Sequence, residues 1–243
     1  LIPAIIIGRE GSKGFPNKNL VFVDGTTLFM YPAIAALRTQ SVDRVYLATD
    51  SYKMKYVIED TKLDFRIIDL PKELTTDDSL AEGSFIYAYN KIKEENPNEK
   101  IDYVVLMFAN APCITSDMIN NMVHELVSSV SADSICTISK YNMFSPYRMR
   151  TISDLSKSLI NFVQDNNSTC DRNDKGDFYI YDCSCAVVKA KVLENIESYP
   201  CPQRWLGNFT LPYIQKIPAI DVDYEWQMGQ IEYWLRNHEK ARN

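Results

Sequence analysis

The chain has 243 residues, 46% of them hydrophobic and 24% charged, with a net charge of −6 at pH 7. That describes a globular chain able to bury one sizeable core, and it excludes broad nucleic-acid binding, which asks for a basic surface. No apolar run approaches a membrane span and no basic-then-apolar leader opens the chain, so no membrane partner and a cytoplasmic setting are expected.

Short apolar runs alternate with helix-period segments through the first 140 residues, the pattern of β-α units on a parallel sheet. Strands are expected at 2–8, 44–49, 65–69, 102–108 and 134–139. Helices fall between them at 28–39, 53–62, 79–95 and 117–128. Thr76 or Asp77 is a plausible N-cap for the third helix, and Thr115 or Ser116 for the fourth. The rhythm breaks at 141–182, a polar, aromatic excursion with a β-like FYIY near its end. A strand at 184–188, a short helix at 191–196, the extended IPAIDVD at 217–223 and an amphipathic helix at 224–238 close the chain. The whole reads as one domain, 1–243, of Rossmann-like three-layer α/β/α type with a mostly parallel sheet and 141–182 inserted. Sheets of this kind bind ligands at the C-terminal ends of their strands.

Two histidines, His124 and His238, sit on helix-like segments without a partner motif, so a Ser-His-Asp or Cys-His mechanism has no support. Six cysteines follow neither a disulfide framework nor a zinc spacing. Chemistry therefore falls to carboxylates, cations and a metal. Directly after the first strand comes GREGSKGFPNKN, residues 8–19. Gly8, Gly11 and Gly14 allow tight turns that aim backbone N–H groups at a ligand. Arg9, Lys13 and Lys18 supply charge for phosphate oxygens. The loop lacks the GK[ST] ending of a Walker A motif and the spacing of a dinucleotide fingerprint. Near the other end, Asp221-Val222-Asp223 puts two acids at i and i+2, which in a strand share a face and suit a magnesium ion carrying a triphosphate. An N-cap with a solvated acid is the simpler reading of that pair alone.

The strand followed by G/A-R-x-x-S-K-G-x-P-x-K-N resembles the signature of the cytidylyltransferases that activate sialic acid and related nonulosonic acids, matched at Arg9, Ser12, Lys13, Gly14, Pro16, Lys18 and Asn19. The resemblance implies transfer of CMP from CTP to an acidic sugar with loss of pyrophosphate. Arg9 and Lys18 would bind phosphate with Ser12 and Lys13 near them, and Asn19 would meet base or ribose. Gly8, Gly11, Asp77 and Asn110 complete the expected nucleotide site. The family carries I-D-I-D before its last helix, so IDVD here makes Asp221 and Asp223 the implied ligands of Mg2+ (or Mn2+). Lys18, Arg9, Asp221 and Asp223 would be the catalytic set, and a homodimer joined through the excursion is implied.

Two stretches depart from that family. DLPKELTTDDS keeps Pro71, Glu73, Leu74 and Asp77, but Leu70 replaces a nucleotide-binding arginine, with Asp69, Lys72 and Arg66 as possible substitutes. FANAPCIT keeps Asn110, Pro112 and Thr115, while Phe108 replaces a glutamine and Ile114 an arginine of the sugar pocket. Acceptor contacts are therefore expected from Phe108, Asn110, Lys140, Arg148, Arg172 and Arg204, because guanidinium forks suit a carboxylate. Three rival readings remain: a nucleotidylyltransferase acting on a sugar phosphate, a glycosyltransferase with its D-x-D, and a nucleotide-binding module without chemistry.

Overall fold

The computed structural model describes residues 1–11 and 14–238. Its centre is a seven-stranded sheet. Along the chain run β1 (Pro3–Ile7), the short hairpin β2 (Phe22–Val23) and β3 (Thr26–Thr27), α1 (Met30–Leu37), β4 (Arg44–Thr49), α2 (Tyr52–Thr61) and β5 (Phe65–Asp69). Then follow α3 (Ala81–Glu95), β6 (Tyr103–Phe108), α4 (Ser116–Ser128), β7 (Ser134–Lys140), and a second hairpin of β8 (Arg150–Ile152) and β9 (Leu159–Asn161). The chain continues through β10 (Tyr179–Lys189), α5 (Ala190–Glu194), β11 (Thr210–Ile214) and α6 (Met228–Asn237). Sheet order is β11-β7-β10-β6-β1-β4-β5, and only β10 runs antiparallel to its neighbours.

Alternation along the strands sorts the core into two layers. Ala4 and Ile6 face α1, α2 and α4, while Ile5 and Ile7 face α3 and α5. Every residue of β1 is buried, as a central strand covered on both faces requires. Each fully buried isoleucine contributes roughly 1.5–3 kcal/mol by leaving water, so the sheet centre is a rigid base for the loops above it. A third, smaller cluster joins Val23 of the first hairpin, Cys113, Ala219, Val222 and α6.

Several expectations need correcting. Thr115 does cap α4, accepting from Met118 N at 3.3 Å. The third helix, however, starts at Ala81 with no side-chain cap, because Thr76 bonds Ser79 and Asp77 takes Arg9 instead. The β-like FYIY and the strand at 184–188 are one strand, β10, broken by a bulge. Five steps from Tyr181 to Ala186 face two from Ile138 to Cys136, and Cys183 takes a left-handed φ of 62° in the surplus. The last helix begins as a 3-10 turn, Glu225–Gln227, before α6. Residues 217–223 form no strand. Both hairpins and β11, an edge strand carrying Pro212, were not expected from the sequence.

Candidate nucleotide site

The strand order turns about β1: the chain steps outward through β4 and β5, then returns to place β6 on the other side. Crevices form at such reversals. Here a cleft of about 510 Å³ opens over the C-terminal ends of β1 and β6. Gly8, Arg9, Gly14, Lys18 and Asn19 line one wall, Asp77 to Ala81 another, and Phe108, Asn110, Asp223 and Tyr224 complete it.

Close approach dictates two of the glycines. A Cβ on Gly8 would lie 2.6 Å from the Cβ of Ala109, and one on Gly14 would lie 2.7 Å from the backbone oxygen of Asp223. The loop thus leaves β1 against β6 and comes back onto the acidic segment. Asn17, left-handed at φ 56°, turns the chain into a 3-10 turn at Lys18–Leu20 that points Lys18 inward. Gly11 (φ 83°) stands in open space at the loop's outer bend, clear of the cleft lining. Ser12 and Lys13 lie outside the described residues.

Both described cations of the loop meet a carboxylate. Lys18 Nζ donates to Asp223 Oδ1 at 2.6 Å, with the lysine side chain 12% exposed and the aspartate 55%. Arg9 Nη1 donates to Asp77 Oδ1 at 2.9 Å and to the oxygen of Thr75 at 3.2 Å. Asn19 is buried; its Nδ2 donates to the oxygen of Arg9, and its Oδ1 has no partner. A buried acceptor left unmatched costs about 1–3 kcal/mol, and an N–H of a nucleobase would satisfy it.

Asp221 and Asp223 are neighbours, though not through strand alternation, and of the two the cleft lining takes in Asp223. Side chains hold their segment. Asn110 donates Nδ2 to the oxygen of Val222 at 3.0 Å and to Asp221 Oδ2 at 3.4 Å, while its backbone oxygen accepts Val222 N–H at 2.8 Å. Gln227 Oε1 accepts the N–H groups of Asp223 and Tyr224, both at 2.7 Å. Burial, then the neighbouring Asp223, raises the Asp221 carboxyl above its usual range, with Lys18 opposing. The same two acids, after burial, push the Cys183 thiol up. A hard divalent cation fits here: oxygen donors only, and a carboxylate pair whose repulsion it would relieve. Among the described residues no group of three or more His, Cys, Asp or Glu could hold a metal, so phosphate and water would complete its shell.

Of the expected acceptor residues, the cleft takes in Phe108 and Asn110. Phe108 packs edge-on against Phe85 (5.3 Å between centroids), with Trp205 behind. The cations are placed elsewhere. Lys140 is held by Asp177 at 2.5 Å and Arg204 by Glu197 at 2.5 Å, and Arg148 and Arg172 stand on the excursion away from the cleft lining. Leu70 lines the cleft, and its possible substitutes do not: Asp69 pairs with Lys55 and Arg66 lies over the Tyr46 ring. Tyr224, Asp78, Ser79 and Leu80 line the site without having been singled out in the sequence. Only the position of Tyr224, next to Asp223, could have flagged it.

Residues 3–178 match the family described as Cytidylyltransferase. The N-acylneuraminate cytidylyltransferase of Escherichia coli O18:K1:H7 is 38% identical over 76 residues, which are 31% of this chain and 18% of that protein. The Helicobacter pylori pseudaminic acid cytidylyltransferase and UDP-2,4-diacetamido-2,4,6-trideoxy-beta-L-altropyranose hydrolase is 26% identical over 161 residues, 66% of this chain and 29% of that protein. The matched stretch is thus under a third of either relative's length. Among solved structures, a CMP:2-keto-3-deoxy-manno-octonic acid synthetase in complex with CTP superposes with a TM-score of 0.69 at 12% identity, covering 98% of this chain and 100% of that one. The 4-diphosphocytidyl-2C-methyl-D-erythritol synthase of Anaerococcus prevotii gives 0.64 at 13%, covering 97% and 96%. These likenesses establish the three-layer fold. The chain belongs to the cytidylyltransferase family.

Proposed function

We propose that this cytidylyltransferase transfers CMP from CTP to a hydroxyl of an acidic sugar, a sialic acid or another nonulosonic or ketodeoxy sugar acid, and releases pyrophosphate. One observation carries the reading: Lys18 of the glycine loop and Asp223 of the acid pair, 205 residues apart in sequence, meet in one cleft beside Arg9, Asn19 and Asn110. Cations to neutralise a triphosphate and carboxylates to hold its metal are what phosphoryl chemistry requires. The acceptor class rests on the two curated relatives, named for N-acylneuraminate and pseudaminic acid.

The acceptor hydroxyl attacks the α-phosphorus and gives up its proton to solvent, the new O–P bond forms, and the bond to the β-phosphate oxygen breaks with pyrophosphate leaving in line. Lys18 and Arg9 trade their aspartate partners for phosphate oxygens and stabilise charge gathering on the leaving group. Asn19 Oδ1 accepts from the base, and Asn110 keeps Asp221 and Asp223 aimed at the phosphates. Mg2+ (or Mn2+), held by those two acids, would supply charge neutralisation and polarise the phosphate. Alignment by these groups lowers the barrier because the reactants' freedom is already lost on binding.

A homodimer belongs to the same reading. On the hairpin of the excursion, Ile152 and Leu159 form a directly opposed pair, 63% and 72% exposed. An apolar surface of that kind is suited to cover by a second copy, which would bring Arg148 and Arg172 towards a neighbouring cleft. No described helix is long and apolar enough to cross a membrane, and a cytoplasmic reaction drawing on CTP is in keeping with that. The test is pyrophosphate release from CTP, UTP, GTP and ATP with Mg2+ and a panel of sugar acids, with sugar phosphates as controls. Release with CTP and one sugar acid supports the reading. Release with a sugar phosphate alone would replace it.

A further inference from the structure

Asp182 lies at the β10 bulge, 1% exposed, and takes no part in the chemistry above. Its carboxylate accepts from Thr137 Oγ1 at 2.6 Å and Ser184 N at 3.1 Å on one oxygen. Ser139 Oγ at 2.7 Å and Gln215 Nε2 at 3.1 Å serve the other. All four donors are neutral, and together they occupy the lone-pair directions of an ionised carboxylate. Burying such a group is costly unless it is matched in this way, so the arrangement calls for an account.

That account lies one bond further out. Ser139 has a single proton and gives it to Asp182, which leaves its lone pair to accept Ala219 N–H at 2.8 Å. Gln215, fixed by the same acid, also donates to the oxygen of Cys113 at 3.2 Å and accepts Trp234 Nε1–H at 3.1 Å. Ala219 opens the segment that carries Asp221 and Asp223, and that segment belongs to no β-ladder. Asn110 and Gln227 hold its middle and its end. The Asp182–Ser139 pair holds its start.

We propose that Asp182 is a positioning residue for the Asp221–Asp223 pair, acting through Ser139 and Ala219 to fix where the two carboxylates meet a divalent cation. The inference rests on the cytidylyltransferase reading and its metal. An amide at this position is not equivalent to the acid. Whichever way Asp182→Asn is turned, its Nδ2 faces a donor that cannot reverse, Ser184 N–H on one side or the Gln215 amide on the other. Ser139→Ala is the gentler change: it keeps the acid and three of its four donors, and removes the acceptor for Ala219 N–H together with the Ser139 bond to Asp182.

The experiment is calorimetric titration of the full chain with CTP over a range of Mg2+ concentrations, without acceptor, for the parent, Asp182→Asn and Ser139→Ala. We expect the half-saturating Mg2+ to rise about 10- to 100-fold in both variants, as for other groups that orient metal ligands, while CTP binding without metal stays within about twofold. Saturating Mg2+ should then restore turnover. An unchanged Mg2+ requirement in Ser139→Ala, with only a lower melting temperature, overturns the proposal and leaves the network a packing device. Should Asp182→Asn fail to fold, the serine variant decides alone. A parent chain that binds CTP with no response to Mg2+ or Mn2+ removes the underlying metal reading and this inference with it. A responsive parent beside unshifted variants removes this inference only.

Discussion

Replacing Lys18 by methionine separates the chemical role of this residue from its structural one. The change keeps most of the aliphatic stem and deletes the ammonium that sits 2.6 Å from Asp223. Lys18 is nearly buried, but its partner is 55% exposed, so solvent screens the pair and its share of stability is about 0.2–1 kcal/mol. In a domain of this size that lowers the melting temperature by no more than about 4 °C. The cost in turnover is different in scale. Losing one preorganised donor to a developing oxyanion costs about 100- to 1,000-fold, or roughly 2.7–4 kcal/mol. Pyrophosphate release at saturating CTP and Mg2+, read beside a thermal melt, should show a large loss of rate with a small loss of stability. A rate loss under about tenfold (1.4 kcal/mol) together with a severe drop in melting temperature would refute the reasoning and make Lys18 a structural counter-ion of Asp223.

Four further outcomes follow from the same geometry. Because the Asp221 carboxyl is raised above its ordinary 3.8, the native chain holds that proton longer than the unfolded one, so stability falls as pH climbs above 3.8 and ionised Asp221 is a net cost at neutral pH. Asp221→Asn should therefore melt higher than the parent at pH 7 in metal-free buffer, with the gap closing towards pH 4, and should lose both Mg2+ stabilisation and turnover; a lower melting temperature at pH 7 would contradict this. Gly14→Ala should weaken CTP binding about tenfold or more, equivalent to 1.4 kcal/mol, since its Cβ would meet backbone rather than a side chain able to move aside; calorimetry reads it. Asn110→Ala, which removes the side-chain bonds to the Val222 oxygen and to Asp221 but keeps the backbone bond to Val222 N–H, should lower stability by about 1–3 kcal/mol in a denaturant titration and reduce turnover as well. Ile152→Lys combined with Leu159→Glu keeps an attractive cross-strand pair within the hairpin and should turn a sedimenting dimer into a monomer.

The sheet was legible because its strands are covered on both faces and read as unbroken apolar runs, as PAIII does at β1. The cleft was legible in its extremes: a glycine loop dense in cations and an acid pair before the last helix are rare patterns, and Lys18 from one meets Asp223 from the other. What escaped was whatever depends on distant partners. β11 carries Pro212 and borrows its regularity from β7, so its sequence alone has no strand signature. Asp24-Gly25 is the two-residue turn of the first hairpin and passed unread, since strands of two residues are too short for periodicity to register. Asp221 and Asp223 were expected to share a face by alternation; they are brought together by Asn110 and Gln227, side chains whose role no local pattern encodes. Asp182 is the extreme case. An acid in an apolar stretch reads as a strand end, and only the bulge at Cys183 shows that it faces inward.

The Lys18–Asp223 contact closes a loop of 205 residues, and that distance has a meaning on the ribosome. At roughly 5–20 residues per second, the glycine loop emerges about 10 to 40 seconds before its acidic counterpart. For that interval a nascent chain displays Lys18 without the carboxylate that balances it, whereas Arg9 waits only 68 residues for Asp77. A chain stalled before residue 223 lacks the carboxylate that meets Lys18 in the folded cleft.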